Sequence, residues 1–276
     1  MATADKPISR FDQPVASFAA DDLQTIITAL YEKSDSCAYA AFACSATASA
    51  TGVVLLCGFG ERFRTISILR HLQIPCLIVQ DPHAPWFTGS RICAGLAEVN
   101  QTMAAEFPNI RRWLLVGQSS GAYAALYLSR LVPNSLTIAF APQTCDDSLL
   151  KQQKIFFPPG FVPASTMLAT HPIPDLREKF FARPGASTAR GYIISAFSEH
   201  ENPPTAWLWL DAMHWGRLVE HPDITVFVTS YGSHAVLFKN AGKFAAMIGD
   251  LAALHEWRPD PVQRLISAVL YAPTPV

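Results

Sequence analysis

The sequence predicts an α/β fold: a mostly parallel central sheet with helices on both faces and a loop-rich insertion. Three observations predict it. Short apolar runs alternate with segments of helical spacing along most of the 276 residues, the pattern of a parallel sheet joined by crossover helices. Some of these runs, at 53–57 and 113–116, are apolar without a break, as strands buried on both faces require. Charge is scarce: 16% of the chain is charged and 50% is apolar, against about a quarter charged in an ordinary globular domain.

The elements follow in order. Leu23, Ile26, Ile27, Leu30 and Tyr31 stand at helical spacing behind Asp21 and Asp22, predicting a helix over 20–34. Residues 37–44 predict a strand, and 53–57 a second, ended by Gly58-Phe59-Gly60. A short helix runs through Ile66, Ile68, Leu69 and Leu72, then a strand over 75–79 closed by Gln80-Asp81-Pro82. Residues 89–106 read as a helix, 113–116 as a strand, the segment to about 131 as an Ala-rich helix, and 136–140 as another strand. Periodicity then fails over 143–188, which holds Phe156-Phe157-Pro158-Pro159-Gly160-Phe161 and further prolines. A stretch of that length is expected to be a lid or binding loop inserted over the strand ends. Alternation resumes with a strand at 192–197, a helix at 204–219, a strand at 224–228, a helix at 235–255 and a last helix through Leu265, Ile266, Val269 and Leu270. A single domain over 1–276 is expected.

Composition narrows the function classes. A formal net charge of -1 gives no electrostatic case for nucleic acid or an anionic membrane surface. Residues 1–13 are polar and mixed in charge, without the basic-then-apolar order of a secretory signal. The uncharged stretch 38–60 is long enough to span a membrane but is interrupted by Ser45, Thr47, Ser49, Thr51 and Gly52. Two strands joined by a small-residue turn account for it, so no membrane span is expected. The six cysteines are scattered, with no CxxC or Cys/His spacing. Reduced thiols in a cytoplasmic protein, and no metal, are the expectation.

The motif that carries chemistry is Gly117-Gln118-Ser119-Ser120-Gly121, set between the strand at 113–116 and the Ala-rich helix. A serine between a strand and a helix, flanked at two residues on either side by glycine, describes a nucleophile elbow. Ser119 is therefore the candidate nucleophile. A serine hydroxyl needs a base within hydrogen-bond reach and a carboxylate to orient that base. Of eight histidines, His234 fits best, because it follows the strand at 224–228 in the loop Thr229-Ser230-Tyr231-Gly232-Ser233. His200 and His214 are the alternatives. The acid is expected in Ser198-Glu199-His200-Glu201-Asn202-Pro203-Pro204, after the strand at 192–197. Glu201 is preferred, then Glu199, with Asp146 or Asp147 after the preceding strand as another option. Asp211 reads as too far into the helix. The backbone N–H of Ser120, at a helix start where the dipole favours negative charge, is one expected oxyanion donor. Phe59 or Gly60 is the other. Trp86 and Phe87, beyond another strand end, either wall the pocket or anchor a packed loop.

On these residues the chain resembles the α/β-hydrolase superfamily over about residues 50–255. More narrowly, Gly121-Ala122-Tyr123-Ala124-Ala125-Leu126, Phe140-Ala141-Pro142-Gln143, Trp86-Phe87 and Ser233-His234-Ala235-Val236 resemble a bacterial subgroup linked to polysaccharide biosynthesis and accessory secretion. That subgroup tends to carry an aspartate as its acid, where this chain offers Glu199 and Glu201. The resemblance and the motif together imply a serine hydrolase acting on a small-molecule or acylated ester or thioester, without a cofactor. An acyltransferase using the same residues, or a non-catalytic scaffold that keeps the fold, are the other implied functions.

Overall fold

The computed structural model describes residues 7–43, 50–59, 62–152, 172–182, 189–196, 206–230 and 233–271. Its strands are β1 (Ile8–Phe11), β2 (Tyr39–Phe42), β3 (Thr51–Leu56), β4 (Cys76–Val79), β5 (Arg112–Gln118), β6 (Ser135–Phe140), β7 (Arg190–Ala196) and β8 (Ile224–Thr229). They form one eight-stranded sheet in the order β1-β2-β4-β3-β5-β6-β7-β8. Each neighbouring pair is parallel except β2 and β4. The first two strands therefore run opposite to the other six.

The helices are α1 (Ala20–Glu32), α2 (Leu96–Glu106), α3 (Ser120–Ser129), α4 (Asp147–Gln152), α5 (Leu176–Phe181), α6 (Ala206–Gly216), α7 (Val236–Lys239), α8 (Ala241–Ala253) and α9 (Pro259–Tyr271). A 3-10 segment, Arg62–Leu69, fills the place of the short helix expected after β3.

Alternation along each strand divides the core into two faces. In β3 and β5, Val53, Leu55, Leu114 and Val116 face a cluster shared with α1, α8 and α9. Val54, Leu56 and Leu115 face the opposite cluster, which holds Ala124, Ala125 and Leu128 of α3 together with α2. All six residues of β3 and of β6 are buried. That explains why neither strand carries a charged residue and contributes to the low charge of the chain. No described helix is long and apolar enough to cross a membrane.

The structure corrects the sequence reading at four places. β1 lies within the polar N-terminal stretch. As an edge strand paired only with β2 it needs little apolar surface. The helix expected from residue 89 begins only at Leu96. Gly89 and Gly95 hold φ of 113° and 115° before it, conformations outside the helical region. The helix expected over 235–255 divides at Asn240 into α7 and α8. The last helix begins earlier than its apolar residues suggest, at Pro259, where a fixed φ suits the first helical position. Of the expected insertion, α4 and α5 are described, while 153–171 and 183–188 lie outside the described residues.

Candidate active site

The C-terminal ends of the parallel strands gather the residues of interest, which is where open α/β sheets place ligands. Ser119 is the residue between β5 and α3, with φ 56° and ψ -121°. A non-glycine residue in that region costs on the order of 1–3 kcal/mol and persists only where its surroundings hold it. Here its N–H donates to Phe140 O at 2.8 Å, and its own carbonyl accepts from Tyr123 N at 3.0 Å. The tight corner also needs close backbone approach. A Cβ on Gly117 would stand 2.2 Å from Gly121 O, and one on Gly121 would stand 2.1 Å from Leu56 O. Neither glycine has a positive φ, so space and not conformation demands them.

His234 reaches this corner from the loop after β8. Its Nε2 lies 3.0 Å from Ser119 Oγ. Its Nδ1 lies 2.8 Å from both Oδ1 and Oδ2 of Asp211. The Asp211 side chain is 2% exposed and the His234 side chain 23%. With Nδ1–H donating to the carboxylate, Nε2 carries the free lone pair that faces the hydroxyl.

The carboxylate differs from the sequence expectation. Asp211 sits in the middle of α6, the position read as too far into the helix, and it engages His234. Glu199 and Glu201 lie outside the described residues, as does His200. Asp146 Oδ1 accepts from Ser148 N at 2.8 Å and so caps α4, whose first residue is Asp147. His214, the other alternative base, is fully buried and accepts from Thr144 N at 3.1 Å through Nδ1. It ties α6 to the loop after β6. A signal for Asp211 was present in the sequence. It is the lone acidic residue of α6, AWLWLDAMHWG, and a carboxylate on so apolar a helix must be partnered if buried.

Gln118, between the first glycine and Ser119, was not singled out from sequence. Its buried side chain donates from Nε2 to His234 O at 2.7 Å and accepts through Oε1 from Leu237 N at 3.1 Å. One amide thus fixes the backbone at His234 and again three residues later to the residue before Ser119.

The expected oxyanion region is partly described. Ser120 is the first residue of α3. Its hydroxyl accepts from Phe59 N at 3.0 Å, which draws the loop after β3 over the helix N-terminus. The Phe59 side chain is 52% exposed. Gly60 lies outside the described residues.

Trp86 and Phe87 are buried. Trp86 Nε1 donates to Gln143 Oε1 at 2.9 Å, joining the loops after β4 and β6. Both rings line a cavity of about 320 Å³ with Tyr123, Tyr127, Leu131 and Pro174, running along the flank of α3. Trp86 thus acts as a loop anchor, and the cavity it lines with Phe87 has none of Ser119, His234 or Asp211 among its lining residues. The Tyr123 hydroxyl donates to Pro174 O at 2.9 Å, and burial above all pushes its pKa upward. Asp81 shapes the same loop, its Oδ1 accepting from the amides of His83 and Ala84. Burial raises its carboxyl pKa, and those bonds, with one from Ser90, pull it back. Among the described residues no group of three or more His, Cys, Asp or Glu side chains is placed to hold a metal ion.

No family model and no curated protein matches the chain. Solved structures do. A proline iminopeptidase of Mycobacterium smegmatis matches with a TM-score of 0.50 and 14% identity, over 83% of this chain and 95% of its own. MenH from S. aureus matches with a TM-score of 0.50 and 14% identity, over 78% of this chain and 97% of its own. FphF, a fluorophosphonate-binding serine hydrolase of Staphylococcus aureus, matches with a TM-score of 0.50 and 11% identity, over 74% and 84%. At these identities the likeness is one of fold. Together with the strand order and the strand–serine–helix corner, it shows that this chain has the α/β-hydrolase fold.

Proposed function

We propose that the chain is a serine hydrolase that cleaves an ester or thioester through an acyl-enzyme. The observation that carries this reading is the unbroken hydrogen-bonded line from Ser119 Oγ through both ring nitrogens of His234 to the buried Asp211. In this reading Ser119 Oγ attacks the substrate carbonyl while His234 Nε2 takes its proton. Asp211 holds the tautomer and stabilises the imidazolium that forms. The tetrahedral oxyanion is held by the Ser120 N–H at the start of α3; the Phe59 N–H is engaged with Ser120 Oγ and fixes the loop beside it. Collapse expels the alcohol or thiol, protonated by His234, and leaves Ser119 acylated. Water then attacks the acyl carbon with His234 again as base, and the acid departs. The apolar, Pro-rich composition of residues 143–188 supports a substrate with an apolar acyl portion. The buried, unbridged Cys37, Cys57, Cys76, Cys93 and Cys145 support a cytoplasmic setting.

The test is covalent labelling. A fluorophosphonate is expected to add to the folded protein once, at Ser119 by peptide mapping. Nitrophenyl esters and acyl thioesters of graded length are expected to turn over and to be blocked by the label. A folded protein that neither labels nor turns over any of them would overturn the reading. An added alcohol that captures the acyl group in place of water would turn it toward acyl transfer.

Gln118 gives a second prediction. Gln118→Leu removes both amide contacts and leaves the buried Leu237 N–H unpaired, a cost of about 1–3 kcal/mol. Because His234 then loses its register with Ser119, kcat is expected to fall roughly 10- to 100-fold, as small misplacements do. KM should change little. Steady-state kinetics alongside urea unfolding checks both effects.

A further inference from the structure

We propose that the end of the sheet remote from Ser119 carries a binding site for a phosphate group. A cavity of about 310 Å³ opens at the N-terminal ends of β5, β6 and β7, lined among others by Arg111, Arg112, Arg190, Asn134, His255 and Trp257. β5 begins at Arg112, β6 at Ser135 and β7 at Arg190. The register sets Trp113 beside Ser135 and Leu136 beside Arg190, so these strand starts lie side by side. Neighbouring strands are about 4.8 Å apart, which brings the backbones of Arg112 and Arg190 to roughly 10 Å. Two arginine side chains can converge on one small anion across that gap. Ser119, at the far end of β5, is roughly 20 Å away by the rise of the strand.

Among the described residues, the charge of the arginines lining this cavity is not balanced by carboxylates. Three guanidinium groups line it, in a chain whose formal net charge is -1. Its acidic lining residue, Glu256, is paired with Arg258, which is not among the lining residues, at 2.7 Å. Arg111 donates to Pro108 O at 3.2 Å. Neither Arg111 nor Arg190 makes an ion pair with a described carboxylate. Like charges held around a shared hollow repel one another, and a bound anion relieves that repulsion.

The site is also built. Arg112 donates to Thr51 Oγ1 at 2.7 Å, to Leu254 O at 3.0 Å and to His255 O. Its guanidinium lies over the Trp257 ring at 5.0 Å. Trp257 is pinned in turn by its Nε1 donating to Leu251 O at 2.8 Å. Arg112 is thus fixed in place, while the two arginines beside it keep donors for a ligand. Forked, permanently charged donors match the oxygens of a phosphate. The volume of this open cavity suits a phosphate or pyrophosphate group on a small molecule.

The experiment uses the whole protein and needs no turnover. Inorganic pyrophosphate is titrated at constant ionic strength, followed by calorimetry and by melting temperature, with chloride as the reference anion. Saturable binding and a raised melting temperature are expected, equally in Ser119→Ala. Arg111→Gln and Arg190→Gln should each weaken binding at least about tenfold, while melting in chloride and ester turnover stay as in the parent. Absence of saturable binding, or equal binding by the Arg111→Gln/Arg190→Gln double variant, would overturn the site. Co-sedimentation with phosphatidic acid in phosphatidylcholine vesicles separates a lipid headgroup from a free anion. If the double variant abolishes that sedimentation, the phosphate belongs to a lipid; if pyrophosphate binds and vesicles do not, it belongs to a soluble ligand.

Discussion

Asp211→Asn is expected to lower kcat about 10⁴-fold while the protein stays folded, and Ser119→Ala is expected to remove all turnover through an acyl-enzyme. The two losses have different origins. Without Ser119 Oγ no acyl-enzyme forms, and what remains is the modest effect of binding and oxyanion contacts. With asparagine at 211 the side chain keeps its shape but loses its charge. Its amide end can donate to His234 Nδ1, which favours the tautomer with the proton on Nε2, facing the serine it should deprotonate. Both carboxylate oxygens lie 2.8 Å from Nδ1, so in either flip the amide sets its NH2 donor as well as its oxygen beside that nitrogen. Glu201→Gln is the decisive control. If Asp211 is the orienting acid, that variant keeps kcat within a small factor of the parent. If Glu201 variants lose activity and Asp211→Asn does not, the contact seen with His234 is structural only. Rates from a single-turnover burst, with circular dichroism on each variant, separate these outcomes.

The contact between Asp211 and His234, not expected from sequence, shows where sequence reasoning stops. Ser119 and His234 were legible because each belongs to a local pattern, a strand, a small-residue turn and a helix start. Strand periodicity is set by burial on the two faces of a sheet, so β3, β5 and β6 were also legible within a residue or two. The acid is different, because its partner depends on how α6 lies across the strand ends, and nothing local encodes that crossing. Distance along the chain argued for Glu201, which lies closer to β7. The energetics argued for Asp211, since one carboxylate on an apolar helix is costly when buried unpaired. The residue that meets His234 is also an aspartate, the acid type expected from the resemblance. Gln118 was hidden for a similar reason: its two partners, His234 O and Leu237 N, are more than a hundred residues away. β1 escaped because an edge strand with one neighbour has no strong apolar pattern to show.

The largest loss of stability is expected from Gly121→Ala. A Cβ there would stand 2.1 Å from Leu56 O and 2.9 Å from Cys57 C, both backbone atoms of the central sheet region. A contact of that kind cannot be relieved by turning a side chain. Either α3 moves away from β3 or the end of β3 bends, and both disturb fully buried neighbours such as Leu56, Ala122 and Ala125. Overpacking a core costs about 1–3 kcal/mol where side chains can yield; here the backbone must move, and a loss of roughly 3 kcal/mol or more is expected. The movement also separates Ser120 Oγ from Phe59 N, so the oxyanion region opens and turnover falls with stability. Gly242→Ala provides the contrast on the same chemistry. It lies in α8 with no atom outside its own stretch of helix backbone within 4 Å of the added methyl, so alanine should raise stability by up to about 1 kcal/mol through its helix preference. Urea midpoints for the two variants should therefore move in opposite directions from the parent. Equal, small shifts would mean that α3 packs against β3 less closely than the distance between Gly121 and Leu56 implies.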